Sequence, residues 1–426
     1  MTRRDPIAEI VAFNAPLLAK DRVVAAEEGG RDLTAEALSR KLEALGRNSF
    51  SFFRGTFHLL ARDLLQGRVE HAAALAPEGL IVGDLHLENF GVYRGASGAL
   101  VFDVNDFDDV GFGPADLDVK RLCASALLVP KLARAKALEA AKAIAKAWAQ
   151  GIERLGGRFP VNAYGEDKAE GAVKSMLTEH GKHTDAELAA KAAPDKGHKH
   201  FDTSGSPARY VPPAAHWRPV IEKAIDEYRR ALEQFKSDLP GKSWELLDLA
   251  YRFKGTGSLG RLRFSALLGH GDDRRVVEIK EARPSALDEA RGAKQAGNRA
   301  RMQAASIRRL QGDPWPFVAG THLGEREALV RSIQPEEEKL SCEDLAATPD
   351  KLASYASQCG EVLARLHVRE SAPLLLSADW DPHQAADEAI AFAQSYSTVV
   401  EADYQAYCTA RDSITARLGL SKSKGV

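Results

Sequence analysis

Four cysteines in 426 residues, Cys123, Cys342, Cys359 and Cys408, stand too far apart for any C-x-x-C pair. That spacing gives no support to a disulfide framework or a cysteine zinc site, and it suits a reducing cytoplasm. An excess of one charge is lacking too: 58 Lys and Arg stand against 60 Asp and Glu, a formal net charge of −2. The usual electrostatic argument for a nucleic-acid or membrane-surface protein therefore fails. No stretch approaches the roughly 20 apolar residues of a membrane span, and the N-terminal run MTRRDPIAEIVAF is broken by acids. There is no internal repeat. With 44% hydrophobic residues, the chain can build one large domain or two lobes with a substantial core, and a soluble cytosolic protein is expected.

What is present is mostly helical in period. Phe53, Phe57, Leu60 and Leu64 recur at spacings of four, three and four, one face of a helix. The alanine-rich text from about Asp118 to Leu155 reads as further helices. Between about Gly165 and Trp217 the composition turns to Lys, His, Asp, Gly and Pro, which predicts a long exposed excursion. His180, His183, His198 and His200 lie there without metal-ligand spacing, so a solvated loop is the reading. Alternating apolar and polar residues begin only near Ser243.

GDLHLENFGVYRGASGALVFDVNDFDD, residues 83–109, sets six acidic side chains in 27 positions. An apolar strand, LIV, leads into Gly83-Asp84, and a second, ALVFDVN, delivers Asp106. The spacing predicts a hairpin with Asp84, Asn89 and Asp106 at neighbouring ends. There an aspartate can orient a substrate hydroxyl while Asn and Asp hold Mg²⁺ on nucleotide phosphates. Taken singly, each residue is as well explained by turn and helix capping.

Taken together, VGDLHLENFG and NDFDDVGFGPADLDVKRL resemble the catalytic loop and metal-binding strand of the aminoglycoside-phosphotransferase and choline-kinase branch of the kinase-like superfamily. The resemblance implies a catalytic role for Asp84, with His86 retained beside it, metal ligation by Asn89 and Asp106, and a structural role for Asp118. Val82 replaces the histidine that opens the family's pattern.

A kinase also needs a glycine-rich loop and a strand lysine before the catalytic loop, and residues 1–83 contain neither. Both occur later, in YRFKGTGSLGRLRFSALLGHGDDRRVVEIKEA, residues 251–282. Gly255, Gly257 and Gly260 form G-x-G-x-x-G, with Ser258 inside it. Leu262, Phe264 and Ala266 then alternate with polar residues, so the glycines lead into a strand rather than the helix of a dinucleotide fold. VVEIK ends at Lys280. A glycine turn between strands, followed by a strand lysine, can cover and neutralise phosphates; an ordinary hairpin with an exposed lysine is the alternative. Residues 285–310 read as helical and offer Glu289 as the acid to pair with Lys280, with Glu281 a weaker candidate. FVAGTHL and REALVRSI read as strands. Leu352, Tyr355, Ala356, Cys359, Leu363 and Leu366 then form a helical stripe ending in LARLH, a helix that precedes the catalytic loop in the phosphotransferases.

This order reads as a circular permutation. SFFRG, KEA, RMQAAS and FAQSYSTVVEADYQAY, with the catalytic loop, make residues 45–410 similar to the bacterial family DUF2252. The expected fold class is α+β, a two-lobed kinase-like fold. Residues 1–245 would form a large helical lobe, 246–335 a small β-rich nucleotide lobe, and 336–426 helices completing the large lobe. The expected activity is ATP-dependent phosphotransfer to a small-molecule or protein hydroxyl. ATP and Mg²⁺ are the cofactors and no nucleic-acid or membrane partner is expected; acceptor and oligomeric state are left open. Arg54, between aromatics and before the catalytic loop, would hold an anionic substrate or bridge helices. A catalytically silent nucleotide-binding regulator and a nucleotidyl transferase are the alternatives.

Overall fold

The helical text becomes helices wherever apolar residues recur at three and four. Ala137, Ala140, Ala141, Ile144, Ala145, Trp148 and Ile152 line the buried face of the helix Arg134–Leu155, which packs along the long helix Pro349–Ser377. Ala115–Leu127 and Pro382–Arg417 close the same core. The computed structural model describes residues 4–19, 22–156, 160–233, 244–255, 257–293, 297–335, 337–377 and 379–420, and over them the protein is α+β. Among the described residues, no helix is long and apolar enough to cross a membrane.

Among the described residues, ten strands form three antiparallel sheets. Four lie near the N-terminal acidic stretch: β1 (Glu78–Ile81), β2 (Phe90–Arg94), β3 (Leu100–Val104) and β4 (Gly111–Pro114). The LIV strand does not pair with ALVFDVN as expected. β1 pairs with β4 and β2 with β3, because the short turn after Asn89 starts a strand of its own, FGVYR. Asn89 still precedes one strand of the hairpin, and Asp106 follows the other. The stripe from Phe53 to Leu64 is two helices, Ser49–Gly55 and Phe57–Leu65, separated at Thr56, whose hydroxyl donates to Phe52 O at 2.7 Å.

The remaining strands, β5 (Tyr210–Val211), β6 (Glu245–Arg252), β7 (Arg263–His270), β8 (Asp273–Glu281), β9 (Val318–Leu323) and β10 (Arg326–Ser332), form one sheet in the order β5-β6-β7-β8-β10-β9. Strand alternation sorts its side chains by face. Tyr251, Phe264, Ala266, Val277, Ile279 and Val330 pack under the helix Trp217–Glu233. The opposite face carries Arg252, Arg263, Glu278, Lys280 and Arg331, which turn toward the helical body.

The stretch from Gly165 to Trp217 corrects the expectation of an exposed excursion. It contains the helices Gly171–His180 and Asp185–Ala192 and supplies edge strand β5. Ala192, Ala193, Phe201 and Tyr210 are buried against Ala250, Leu267, Val276 and Ile333 on the sheet. Val173, Met176 and Leu177 join the helical core instead, a periodic stripe too short to stand out in the polar text around it. His200 bonds locally to Asp195, and His183 is near Glu187.

Candidate active site

The chain reverses sharply into Asp84. Gly83 has φ +87°, and a Cβ there would lie 2.5 Å from Asp109 O, so only glycine fits. Val82 and Gly83 donate their N–H groups to the two Asp118 oxygens at 2.8 and 2.9 Å. Behind Asp118, at 3.2 Å, is Nε2 of His367, the histidine of LARLH. Trp148 Nε1–H donates to His367 Nδ1 at 3.0 Å, which puts the imidazole proton on Nε2, facing Asp118. The late helix thus supports the early loop through an aspartate and a histidine that are both buried.

Asp84 ion-pairs with Arg121. Arg121 also donates to Phe53 O at 3.0 Å and stacks over the Phe53 and Phe57 rings at 3.9 and 4.5 Å. Burial raises Asp84 to about 6 despite Arg121, and Asp109 and Asp106 add to the rise. A carboxylate titrating there is matched to general-base work near neutrality. His86 Nε2 accepts from Arg54 Nε at 3.2 Å, so its proton sits on Nδ1, which is buried without a partner. Burial and then Arg54 hold His86 well below the usual imidazole range. Arg54 also pairs with Glu88.

Lys280 ion-pairs with Asp108, 172 residues away in sequence. Burial would raise Asp108, but Lys280 and Arg261 outweigh it and leave the carboxyl below its ordinary value. Lys280, Asn89, Asp106, Asp108, Gly255 and Ser258 line one cleft of about 280 Å³. Asn89 Oδ1 accepts from His86 N–H at 2.9 Å, which leaves one of its lone pairs available. Among the described residues, no cluster of three or more His, Cys, Asp or Glu has metal-holding geometry. Mg²⁺ on phosphates needs no such cluster: one or two protein oxygens plus phosphate and water suffice, and Asn89 and Asp106, which both line the cleft, are the residues that could offer them.

The glycine turn between β6 and β7 separates this cleft from an adjoining cavity. Gly255 and Gly260 have φ +80° and +93°. A Cβ on Gly257 would sit 3.2 Å from Arg54 O and 3.9 Å from Asp84 Oδ2. Asp84 lines the cavity and not the Lys280 cleft, whereas Asp106, Asp108, Gly255 and Ser258 border both. Arg263 pins the turn by donating to Lys254 O at 2.5 Å and Ser258 Oγ at 3.1 Å, and it reaches Glu278 Oε2 at 2.8 Å. Arg252 and Arg331 flank the same carboxylate. Burial would raise Glu278, but Arg263, Arg252 and Arg331 hold it well below the carboxylate range.

The family model described as "Uncharacterized protein conserved in bacteria (DUF2252)" matches residues 33–410. The chain belongs to DUF2252. No curated protein and no solved structure matches it.

In this DUF2252 chain, Glu289 is not the partner of Lys280. It pairs with Arg283 at 3.2 Å, and Glu281 pairs with Arg326 at 2.6 Å. The helix Ala286–Arg291 that carries Glu289 starts only after Ser285 and turns its acid back onto the preceding loop. Arg54, Asp84, His86, Asn89, Asp106, Gly255, Gly257, Ser258 and Lys280 gather around the cleft and cavity, whereas Gly260 lines neither and packs toward Leu17. Sequence reasoning missed Arg121, Arg261, Arg263 and Glu278. Arg121 carried a signal, lying three residues after Asp118 and so one helical turn along the same face; Glu278 carried another, two residues before Lys280 and so on the same strand face.

Proposed function

We propose that this DUF2252 chain is a Mg-ATP-dependent phosphotransferase with a circularly permuted, kinase-like arrangement of two lobes. One observation carries the reading: Lys280 and Asn89 line one cleft and Asp84 lines the cavity next to it, across a glycine turn, with Asp106 bordering both. Donor phosphates on one side and an acceptor hydroxyl on the other fit that division. Lys280 and the N–H groups of the glycine turn would hold phosphates, and Asn89 and Asp106 would hold Mg²⁺. Bound Mg-ATP supplies the electrophilic phosphoryl group. Asp84 orients the acceptor hydroxyl and accepts its proton, while Arg121 fixes the carboxylate and keeps it largely ionised at neutral pH. His367 and Asp118 act through the backbone, keeping Asp84 in place.

One observation favours a second reading, nucleotidyl transfer. Beside the apolar Phe107, Ile307, Trp315 and Leu329, the cleft is bordered by Arg263, Glu278 and Arg331, and this charged side suits phosphates at the end of the cleft where the adenine of a conventionally bound ATP would not need them. ATP bound in the opposite sense would present its α-phosphate to the acceptor. Mg-dependent ATP binding by wild-type protein and by Asp106→Ala tests what the two readings share. Loss of the Mg-dependent component in a folded Asp106→Ala is the expected result, and equal Mg-ATP affinity contradicts both readings.

A further inference from the structure

The cavity on the Asp84 side of the glycine turn is about 60 Å³, with Phe13, His58, Asp109 and Arg261 in its wall. His58 and Arg261 are 6% and 8% exposed, yet both ring nitrogens of His58 and Nη1 of Arg261 lack a hydrogen-bond partner. A polar group left buried without a partner destabilises the fold. Three such atoms in the wall of one cavity are groups that a ligand would satisfy. The Phe13 ring stacks flat on His58, centroids 3.9 Å apart, and supplies an apolar side.

The charges in the wall are unevenly committed. Asp84 is paired with Arg121, Asp108 with Lys280, and Asp109 accepts from Ala286 N–H at 2.8 Å. Arg261 lies 3.6 Å from Asp108 and 3.9 Å from Asp109, beyond hydrogen-bond length. Behind the wall, Lys41, 1% exposed, places its ammonium 5.4 Å from the centroid of the wall residue Phe13, with no ion-pair partner among the described residues. Burial, then Arg261 and Arg283, lower Lys41 to about 7, with Asp109 and Asp84 opposing them. Burial, then Lys41 and Arg4, keep His58 well below the ordinary imidazole range. It is neutral and offers one donor and one acceptor.

We propose that this cavity is the acceptor subsite and that it selects a small compound carrying a hydroxyl and an anionic group, carboxylate or phosphate. Asp84 faces the hydroxyl, His58 hydrogen-bonds the polar body of the compound, and Arg261 holds the anion, with the Lys41 ammonium behind Phe13 adding positive potential. At about 10–15 Å³ for each water-sized occupant, the space suits a small organic acid and excludes a folded peptide segment. The proposal rests on the phosphotransfer reading. In the step it serves, the acceptor oxygen bonds to the terminal phosphorus as the bond from that phosphorus to the bridging oxygen breaks. The hydroxyl proton passes to Asp84, and the nucleoside diphosphate leaves with the bond electrons.

Titration calorimetry on the full chain with D-glycerate, inorganic phosphate and glycerol tests the proposal, with Mg-ATP titrated in parallel. Glycerate and phosphate should bind wild-type protein, and glycerol, which has the hydroxyls without the carboxylate, at least tenfold more weakly. Arg261→Gln and Lys41→Met should each lower glycerate affinity at least tenfold. The comparison of glycerate with glycerol needs no variant, so a folding defect cannot obscure it. Glycerol binding as tight as glycerate, no binding of either anion to wild-type protein, or wild-type glycerate affinity in both folded variants overturns the proposal. Arg261-dependent glycerate binding without Mg-ATP binding leaves the anion subsite standing and removes the phosphotransfer reading.

Discussion

Replacing Arg121 with methionine removes the cation that opposes the burial of Asp84. Arg121 is 1% exposed and bonded to Asp84 and to Phe53 O, so little solvent screens the pair. An adjacent arginine typically depresses an aspartate by roughly 1–3 pH units. Asp84 titrates at about 6 with Arg121 in place, so in Arg121→Met it should titrate between roughly 7 and 9. The sign follows from the role of the base. A carboxylate that must be ionised works above its pKa, so wild-type transfer should fall below pH 6 and the acidic limb of the variant should move upward. At pH 7 half or more of the variant's Asp84 would be protonated, with a loss of roughly two- to ninetyfold from ionisation alone. Carboxyl ¹³C NMR of aspartate-labelled protein, with the Asp84 resonance identified by its absence in Asp84→Asn, reads the titration without knowledge of the acceptor. Circular dichroism checks the fold, and Arg121→Lys should restore part of the depression. An Asp84 resonance that titrates in Arg121→Met where it does in wild-type protein refutes the reasoning.

Glu278→Gln leaves Arg252, Arg263 and Arg331 around a neutral amide. Breaking a buried pair in this way costs about 3–5 kcal/mol, measurable by urea unfolding, and a cost under about 1 kcal/mol contradicts the account of that cluster. Gly83→Ala combines a left-handed backbone with a 2.5 Å approach to Asp109 O. It should cost at least about 1–2 kcal/mol in unfolding free energy and displace Asp84, whereas wild-type stability would mean that the turn relaxes freely.

The sequence carried the site better than it carried its setting. Asp84, Asn89, Asp106 and Lys280 were legible because each sits at a strand end or turn, where local spacing fixes its position. The two-residue period of β7 and β8 was legible for the same reason. What failed was long-range pairing. The LIV strand found β4 rather than β3, a choice made by register and invisible in either strand alone. Glu289 looked like the Lys280 partner by its place in the chain order, whereas Asp108 reaches the lysine from the loop after β3. The stretch from Gly165 to Trp217 looked solvated because its buried residues are few and split between two cores, Val173, Met176 and Leu177 in the helical body and Ala192, Ala193, Phe201 and Tyr210 against the sheet. Arg121 was legible only as a neighbour of Asp118 one helical turn away, and its contact with Asp84 comes from the fold.

ATP labelled separately at the α and γ phosphates, incubated with Mg²⁺, wild-type protein or Asp84→Asn and a panel of small hydroxylated acids, tests the central claim most directly. The account predicts transfer of the γ label by wild-type protein and a loss of roughly a hundredfold or more in Asp84→Asn, the scale of a general base, with Mg-ATP affinity retained. Transfer of the α label selects the nucleotidyl reading. Full-rate transfer by Asp84→Asn, or Mg-ATP binding by wild-type protein with no transfer of either label to any acceptor, contradicts the account.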